Sequence, residues 1–268
     1  MSDDTVNVLV CIKRVPDFSG EVLLTEDAQS ADARFVGFTL SNHDSCAVEL
    51  AVQIASATDG KATVLTVGAA ESVEQLRSAL GVGCTAAVLV EADPVAMGPA
   101  DVAREIAAVV RDHEAAPEDG QADGRATYDL VLLGNDAADS GDFQVGIRLA
   151  DELSRPVVTG IKTARVADGS ANLQGDGPEG LETYVVPLPA VVTVMEGGVE
   201  PRYPTITGRM KAKKVEVETR AAERTPVGSG RVKLTLPPPS PSTAEVLGEG
   251  PQAATAVVDL LQRLGVGR

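Results

Sequence analysis

Four times between Val6 and Leu153 the sequence passes from a short, almost wholly apolar run into a segment whose apolar residues recur at helical spacing. That alternation leaves little choice of architecture. The first run, Val6-Asn7-Val8-Leu9-Val10-Cys11-Ile12, is β-branched and nearly continuous in hydrophobicity, as a strand covered on both faces of a parallel sheet requires. From Asp44 to Ala57 the apolar positions Ala47, Leu50, Ala51, Ile54 and Ala55 follow a helical period, and Asp59-Gly60 closes that element before a second strand, Ala62 to Val67. Three more pairings follow in the same order: a helix over Glu71–Leu80 with a strand over 86–90, a helix from about Pro99 to Arg111 with a strand over Asp129 to Leu133, then a helix from about Phe143 to Leu153. The acid-rich stretch between His113 and Thr127 reads as a solvated loop. The expectation is a doubly wound α/β layer on a mainly parallel sheet.

Beyond Pro156 the period changes to short strands and turns, over Val157–Val166, Leu181–Val186 and Ala190–Val194, which predict an appended sheet or the edge of the main one. From Glu216 the chain reads as irregular, and Pro237-Pro238-Pro239-Ser240-Pro241 imposes an extended segment. It closes on an amphipathic helix, about Gln252 to Leu264, with Ala256, Val257, Leu260, Leu261 and Leu264 on one face. That face needs a surface, on its own domain or on another chain. The division expected is therefore an α/β domain over 1–215 and a C-terminal arm over 216–268.

Charge narrows the function classes. Asp and Glu number 39 against 23 Lys and Arg, a net of −16, so polyanions such as DNA are poor partners. With three Tyr, four Phe and no Trp, stacking platforms for single-stranded nucleic acid are scarce too. The acid excess suits a proteome adapted to high salt, where screening relieves self-repulsion. No apolar run approaches the roughly 18 residues that span a bilayer, and Met1-Ser2-Asp3-Asp4 lacks the positive region of a signal peptide, so a cytoplasmic location without membrane insertion is expected. Cys11, Cys46 and Cys84 fit neither a disulfide framework nor a CxxC pair and read as small apolar fillers.

The stock catalytic patterns fail in turn. His43 and His113 lie in unrelated segments, so neither a zinc site nor a histidine relay is expected. Gly81-Val82-Gly83-Cys84-Thr85-Ala86 superficially resembles a dinucleotide fingerprint but follows a helix instead of a strand, and reads as a helix stop. Two segments stand out. Gly134 to Gly146 leaves a buried strand and runs into a helix, where open α/β sheets bind ligands; small residues admit a close ligand and the first helical amides suit a phosphate, although a long capping loop explains the composition equally well. Asp139 and Asp142 speak against naked phosphate unless they face ribose hydroxyls or cap the helix. Arg202 to Lys214 carries five positive charges and no acid, suited to an acidic partner, an anionic cofactor or this chain's own carboxylates.

At these residues the sequence resembles the beta subunit of electron transfer flavoprotein. The resemblance runs in order through Val8 to Asp17, Leu132 to Gly146, Leu188-Pro189-Ala190-Val191-Val192-Thr193-Val194, Glu200-Pro201-Arg202-Tyr203-Pro204 and Met210-Lys211-Ala212-Lys213-Lys214. It implies an adenine-nucleotide-binding, Rossmann-like fold with a C-terminal arm docked on an alpha subunit. It implies FAD held mainly by that alpha subunit, electrons taken from dehydrogenases such as those of acyl-CoA and passed toward a quinone oxidoreductase, and no catalytic residue in this chain. It also implies AMP held by Cys11, Ser41, Asn42, His43, Asp44, Val67 and the run Ser140, Gly141, Asp142, Phe143, Gln144, Val145, Gly146, with Phe18 beside the flavin.

The chain departs from that pattern in two places. Ser41-Asn42 stands where the family often has Asn-Pro. Met195-Glu196-Gly197-Gly198-Val199 replaces the acidic, leucine-bearing loop of familiar members and is more like the electron-bifurcating branch, which holds a second FAD in place of AMP. Asp139-Ser140-Gly141-Asp142 is not the Asp-Gly-Asp-Thr loop associated with bifurcation, so AMP is favoured. Val194–Pro201 is the candidate loop for recruiting donors. A stand-alone nucleotide-binding module of the stress-protein kind would share the α/β layer without needing residues 200–214, and an NAD-dependent dehydrogenase lacks its fingerprint here.

Overall fold

The protein is described from a computed structural model over residues 5–17, 22–115, 127–238 and 244–266. Its chain divides into two compact units, Met1–Leu234 and Thr235–Arg268.

In the first unit the apolar runs form strands and the periodic segments form helices, in the order β1 (Val8–Cys11), β2 (Val15–Pro16), β3 (Phe38–Thr39), α1 (Asn42–Ala57), β4 (Ala62–Gly68), α2 (Val73–Val82), β5 (Ala86–Glu91), α3 (Pro99–Glu114), β6 (Leu130–Gly134) and α4 (Val145–Leu153). Then come β7 (Val157–Ala167), β8 (Ser170–Gly177), β9 (Gly180–Pro187), β10 (Ala190–Val194), α5 (Ile206–Ala212) and β11 (Val217–Ala221). Among the described residues nine strands share one sheet, ordered β11-β5-β4-β1-β6-β10-β7-β8-β9, while β2 and β3 pair separately. All pairs from β11 to β7 are parallel, and β7-β8-β9 is an antiparallel meander. This is the doubly wound, mainly parallel α/β architecture expected.

Alternate side chains of each central strand enter opposite cores. Val8 and Val10 of β1 pack with α1 and α2 on one face, and Leu9 and Cys11 pack with α3 and α4 on the other. Such strands cannot afford a polar face, which is why β1 is buried throughout. Cys11, Cys46 and Cys84 are all free and buried, and burial raises the pKa of each thiol.

The structure adds β2, β3 and β8, which the sequence reading lacks, and departs from it further as follows. The strand over Ala190–Val194 lies inside the main sheet between β6 and β7, and all five of its residues are buried. Its uniform hydrophobicity was the signal; only the long return of the chain through the meander hides its position. The region after Glu216, read as irregular, first adds β11 alongside β5. Gly81 does not stop α2, which runs to Val82 with Gly83 as its cap; a side chain at Gly81 would collide with Pro204, so this glycine serves helix packing. In the second unit, α6 (Ala254–Arg263) buries none of its residues, and Val257, Val258 and Leu261 are exposed.

Helix α4 sits unusually close to the sheet. A Cβ at Gly146 would lie 2.4 Å from Cγ2 of Thr193 on β10. The Thr193 hydroxyl is committed elsewhere: it accepts from the Gly160 amide at 3.0 Å and donates to Asn135 Oδ1 at 2.5 Å. Gly146→Ala is therefore expected to lower stability by about 1–3 kcal/mol through overpacking. Adding Thr193→Ser, which removes the offending methyl and keeps the hydroxyl, should recover most of it in urea denaturation; a double variant no more stable than the single one would place the strain elsewhere.

Candidate functional site

From β1 the chain moves outward to β4 and β5, then returns to the other side of β1 as β6, so the strand order reverses between β1 and β6. In open α/β sheets the carboxyl ends of the strands at such a reversal frame the binding crevice. A cavity of about 120 Å³ lies there. Its floor is the ends of β1, β4 and β6, including Cys11, Val67 and Leu133; Met97 just before α3 and Val102 and Ile106 in its first two turns form an apolar wall, and the loop from Asn135 to Gln144 closes another side.

One carboxylate fixes this geometry. Ser41 caps α1 by accepting the Asp44 amide at 3.0 Å, which turns the Asp44 side chain back toward the strand ends. There Oδ2 accepts the amide of Lys13, just past β1, at 3.0 Å, and Oδ1 accepts the amide of Gly134, the last residue of β6, at 3.1 Å. The fit is tight enough that a Cβ at Gly134 would approach Oδ1 to 2.4 Å. Burial pushes the Asp44 carboxyl up to about 7, while the two amides and the Ser41 cap pull it back.

The 134–146 loop carries three acids, and they have separate fates. Asp139 accepts Lys13 Nζ at 2.7 Å in a partly exposed ion pair at the rim. Asp142 lines the cavity. Asp136 also lines it, and its Oδ1 is buried without any hydrogen-bond partner. Such an atom is costly unless a donor reaches it from within the cavity. Beyond the loop, α4 begins without a side-chain cap, and Oε1 of its N-cap residue Gln144 instead accepts from the Arg148 guanidinium at 2.8 and 3.0 Å. The first amides of α4 therefore stay available at the cavity edge, where a helix N-terminus favours an anion. Phosphate at these amides and a hydroxyl on Asp136 suit a nucleoside monophosphate, so the donor set fits such a group.

Of the residues expected at the site, Cys11, Asp44, Val67, Ser140, Asp142, Phe143, Gln144, Val145 and Gly146 line this cavity. Gly141, with φ +62, shapes the loop from outside the lining. Ser41 is the cap just described, Asn42 donates to Glu196 Oε2 at 2.8 Å, and His43 is half-buried outside the lining. Phe18 lies outside the described residues. Sequence reasoning missed Lys13 and the α3 wall, and it held Asp136 within the 134–146 segment without giving it a role of its own. Lys13 stands two residues past β1, as Asp136 does past β6, so the strand-end rule applied to β1 would have found it; the α3 wall depends on how the loop after β5 folds and leaves no local sign.

A second feature adjoins the cavity. Three successive turns of α1 grip the loop 196–202: Asn42 holds Glu196, the Cys46 thiol meets the Val199 carbonyl at 3.6 Å, and Glu49 accepts Arg202 Nε at 2.8 Å. Glu49 is buried, which raises its pKa, yet Arg202 and Gln53 hold it below the ordinary carboxylate value. Among the described residues no three His, Cys, Asp or Glu side chains converge as a metal site would need, and no helix is long and apolar enough to cross a membrane.

Comparison with known proteins agrees with this architecture. Residues 33–225 match the model of the electron transfer flavoprotein domain. The chain is 30% identical to the electron transfer flavoprotein subunit beta of Syntrophomonas wolfei over 96% of both chains, and 29% identical to that of Bacillus subtilis over 96% of this chain and 98% of the other. The human subunit beta is 30% identical over 80% of each chain. With the family match over residues 33–225 and correspondence along most of each relative, the chain belongs to the electron transfer flavoprotein family, among its beta subunits.

Proposed function

We propose that this chain is the nucleotide-holding half of a heterodimeric electron transfer flavoprotein, with AMP seated in the crevice between β1 and β6. The observation that carries the nucleotide reading is that Asp136, whose Oδ1 is buried without a partner, lines the same cavity as the uncapped start of α4. In this reading the α4 amides take the phosphate, Asp136 accepts a sugar hydroxyl, and the α3 wall covers the base.

FAD, held mainly by the alpha subunit, supplies the redox chemistry when bound. This chain's own residues bind, orient and exclude water, and none acts as acid, base or nucleophile. Electrons would come from flavin dehydrogenases such as those of acyl-CoA and leave toward a quinone oxidoreductase. The loop Val194–Pro201 is positioned for donors by the grip of α1. The arm beyond residue 234 would dock on the alpha subunit through the exposed stripe Val257, Leu261 and Leu264.

Three measurements test this. Acid release from the purified heterodimer should yield about one FAD and one AMP; two FAD and no AMP would replace the mononucleotide with a second flavin. Asp136→Ala should weaken AMP binding to the stripped heterodimer by about tenfold or more in calorimetry, since a hydrogen bond to a charged acceptor contributes about 1.5–3 kcal/mol; an unchanged affinity removes Asp136 from the site. Asp44 adds a pH signature. Its folded value, about 7, lies above the ordinary 3.8, so between these the folded chain binds more protons than the unfolded one. Stability from this group is thus greatest at low pH and falls as pH rises through that window. Asp44→Asn should lose that slope in urea midpoints taken between about pH 4 and 8, and an identical slope would contradict the assignment.

A further inference from the structure

After β11 the chain runs as an extended strap, residues 222–234, before the second unit begins. Hydrophobic burial does not hold it: Val227 is 80% exposed and Val232 86%. What holds it is a pair of carboxylates one turn apart on α3. Glu105 accepts the amides of Glu223 and Arg224 at 2.9 and 3.1 Å, and Asp101 accepts those of Val227 and Gly228 at 2.9 and 2.8 Å. Each carboxylate takes two successive amides, one to each oxygen, and four residues on the helix match four on the strap.

Both acids are buried, Asp101 at 5% exposure and Glu105 at 3%. Asp101 also accepts the Gly98 amide at 2.9 Å, and the amide bonds outweigh the effect of burial so that its pKa stays below the ordinary value. Charge-assisted bonds of this kind are about twice as strong as neutral ones. The seat is shaped for backbone: a Cβ at Gly98 would stand 2.4 Å from the Gly228 carbonyl oxygen, and Gly228 has φ +88. Further along, the Leu234 amide donates to the Ala28 carbonyl at 2.8 Å and Gln29 Nε2 donates to the Val232 carbonyl at 2.8 Å.

We propose that Asp101 and Glu105 form a latch that fixes the root of the C-terminal arm and thereby sets the affinity of this chain for its alpha subunit. The inference rests on the reading above that the arm docks on that subunit. A flexible root would leave the arm in its binding-competent placement for only a fraction of the time, and the apparent affinity falls by that fraction. Asp101 and Glu105 are positioning residues: they act through the strap and need touch neither cofactor nor partner.

The test is a double-mutant cycle in full-length chains titrated with the alpha chain. Asp101→Asn and Glu105→Gln keep the shape of each side chain but turn one acceptor oxygen into a donor facing an amide. Each should weaken assembly by about tenfold. Leu261→Asp, which spoils the arm's apolar stripe, should weaken it too, and Asp101→Asn should then add nothing. If Leu261→Asp leaves the affinity untouched, the arm-docking reading falls. If it weakens assembly but Asp101→Asn does nothing, or acts by the same factor in both backgrounds, the latch alone is overturned. Gly98→Ala, which lifts the strap while keeping both carboxylates in the chain, should reproduce the loss; normal affinity in that variant also overturns it. Hydrogen exchange separates this from misfolding: amides 223, 224, 227 and 228 should lose protection in Asp101→Asn and Glu105→Gln while β1 and β4 keep theirs, and unchanged protection at those four contradicts the latch.

Discussion

A single buried carboxylate ties together the parts of this molecule that meet at its crevice. Asp44 lies where the positive end of α1 meets the carboxyl ends of β1 and β6, and its two oxygens accept one amide from each strand's continuation. Burying a charge there is costly, as the upward pull on its pKa records. Two amides and a helix terminus offset that cost, and each keeps its geometry only while the others are present. The strand ends thus open by a fixed amount at the point where the sheet reverses direction. Without such a tie, the splayed ends would present loose loops instead of a cavity with a defined edge.

The same helix carries this order outward. Asn42, Cys46 and Glu49 lie on successive turns of α1 and hold successive parts of the loop 196–202. Asp44, between the first two in sequence, faces the cavity. A displacement of the first turns of α1 would therefore reach both the crevice and the loop, since packed elements shift as units. The α3 helix is built on a similar plan, with Val102 and Ile106 lining the cavity and Asp101 and Glu105 holding the strap. In both helices buried acids spend their charge on backbone amides or a single guanidinium. A chain of net −16 thus uses part of its acid excess as internal fastening.

What the sequence disclosed follows from how far each interaction reaches along the chain. The strands β1, β4, β5 and β6 and the helices α1 to α4 were legible because their periods are local, and the loop 134–146 because it follows a buried strand into a helix, whereas the short pair β2 and β3 was not read. Asp44 was reachable only through resemblance; nothing in Ser41-Asn42-His43-Asp44 itself shows that its side chain meets Lys13 and Gly134, 31 and 90 residues away. Gly146 reads as space for a ligand, but the atom that would collide with a side chain there is a methyl of Thr193. The place of β10 and the joining of β11 to β5 are non-local pairings, which the chain's long return through the meander and its irregular stretch after Glu216 hide.

The basic stretch Arg202 to Lys214 shows how contacts divide readings that composition leaves level. If its purpose were to neutralise this chain's own acids at close range, its cations should be paired. Among the described residues only Arg202 forms an ion pair, with Glu49; Arg209, Lys211, Lys213 and Lys214 form none. Helix α5 is attached by other means: a Cβ at Gly208 would strike the Gly81 carbonyl of α2, and Arg77 of α2 donates to the carbonyls of Ala212 and Val215. The attachment leaves Ile206 82% and Met210 64% exposed beside the four unpaired cations. Among the described residues, those cations are thus not balanced by close ion pairs on their own surface. The stretch is anchored by Arg202 and by backbone contact, while its remaining charge faces outward.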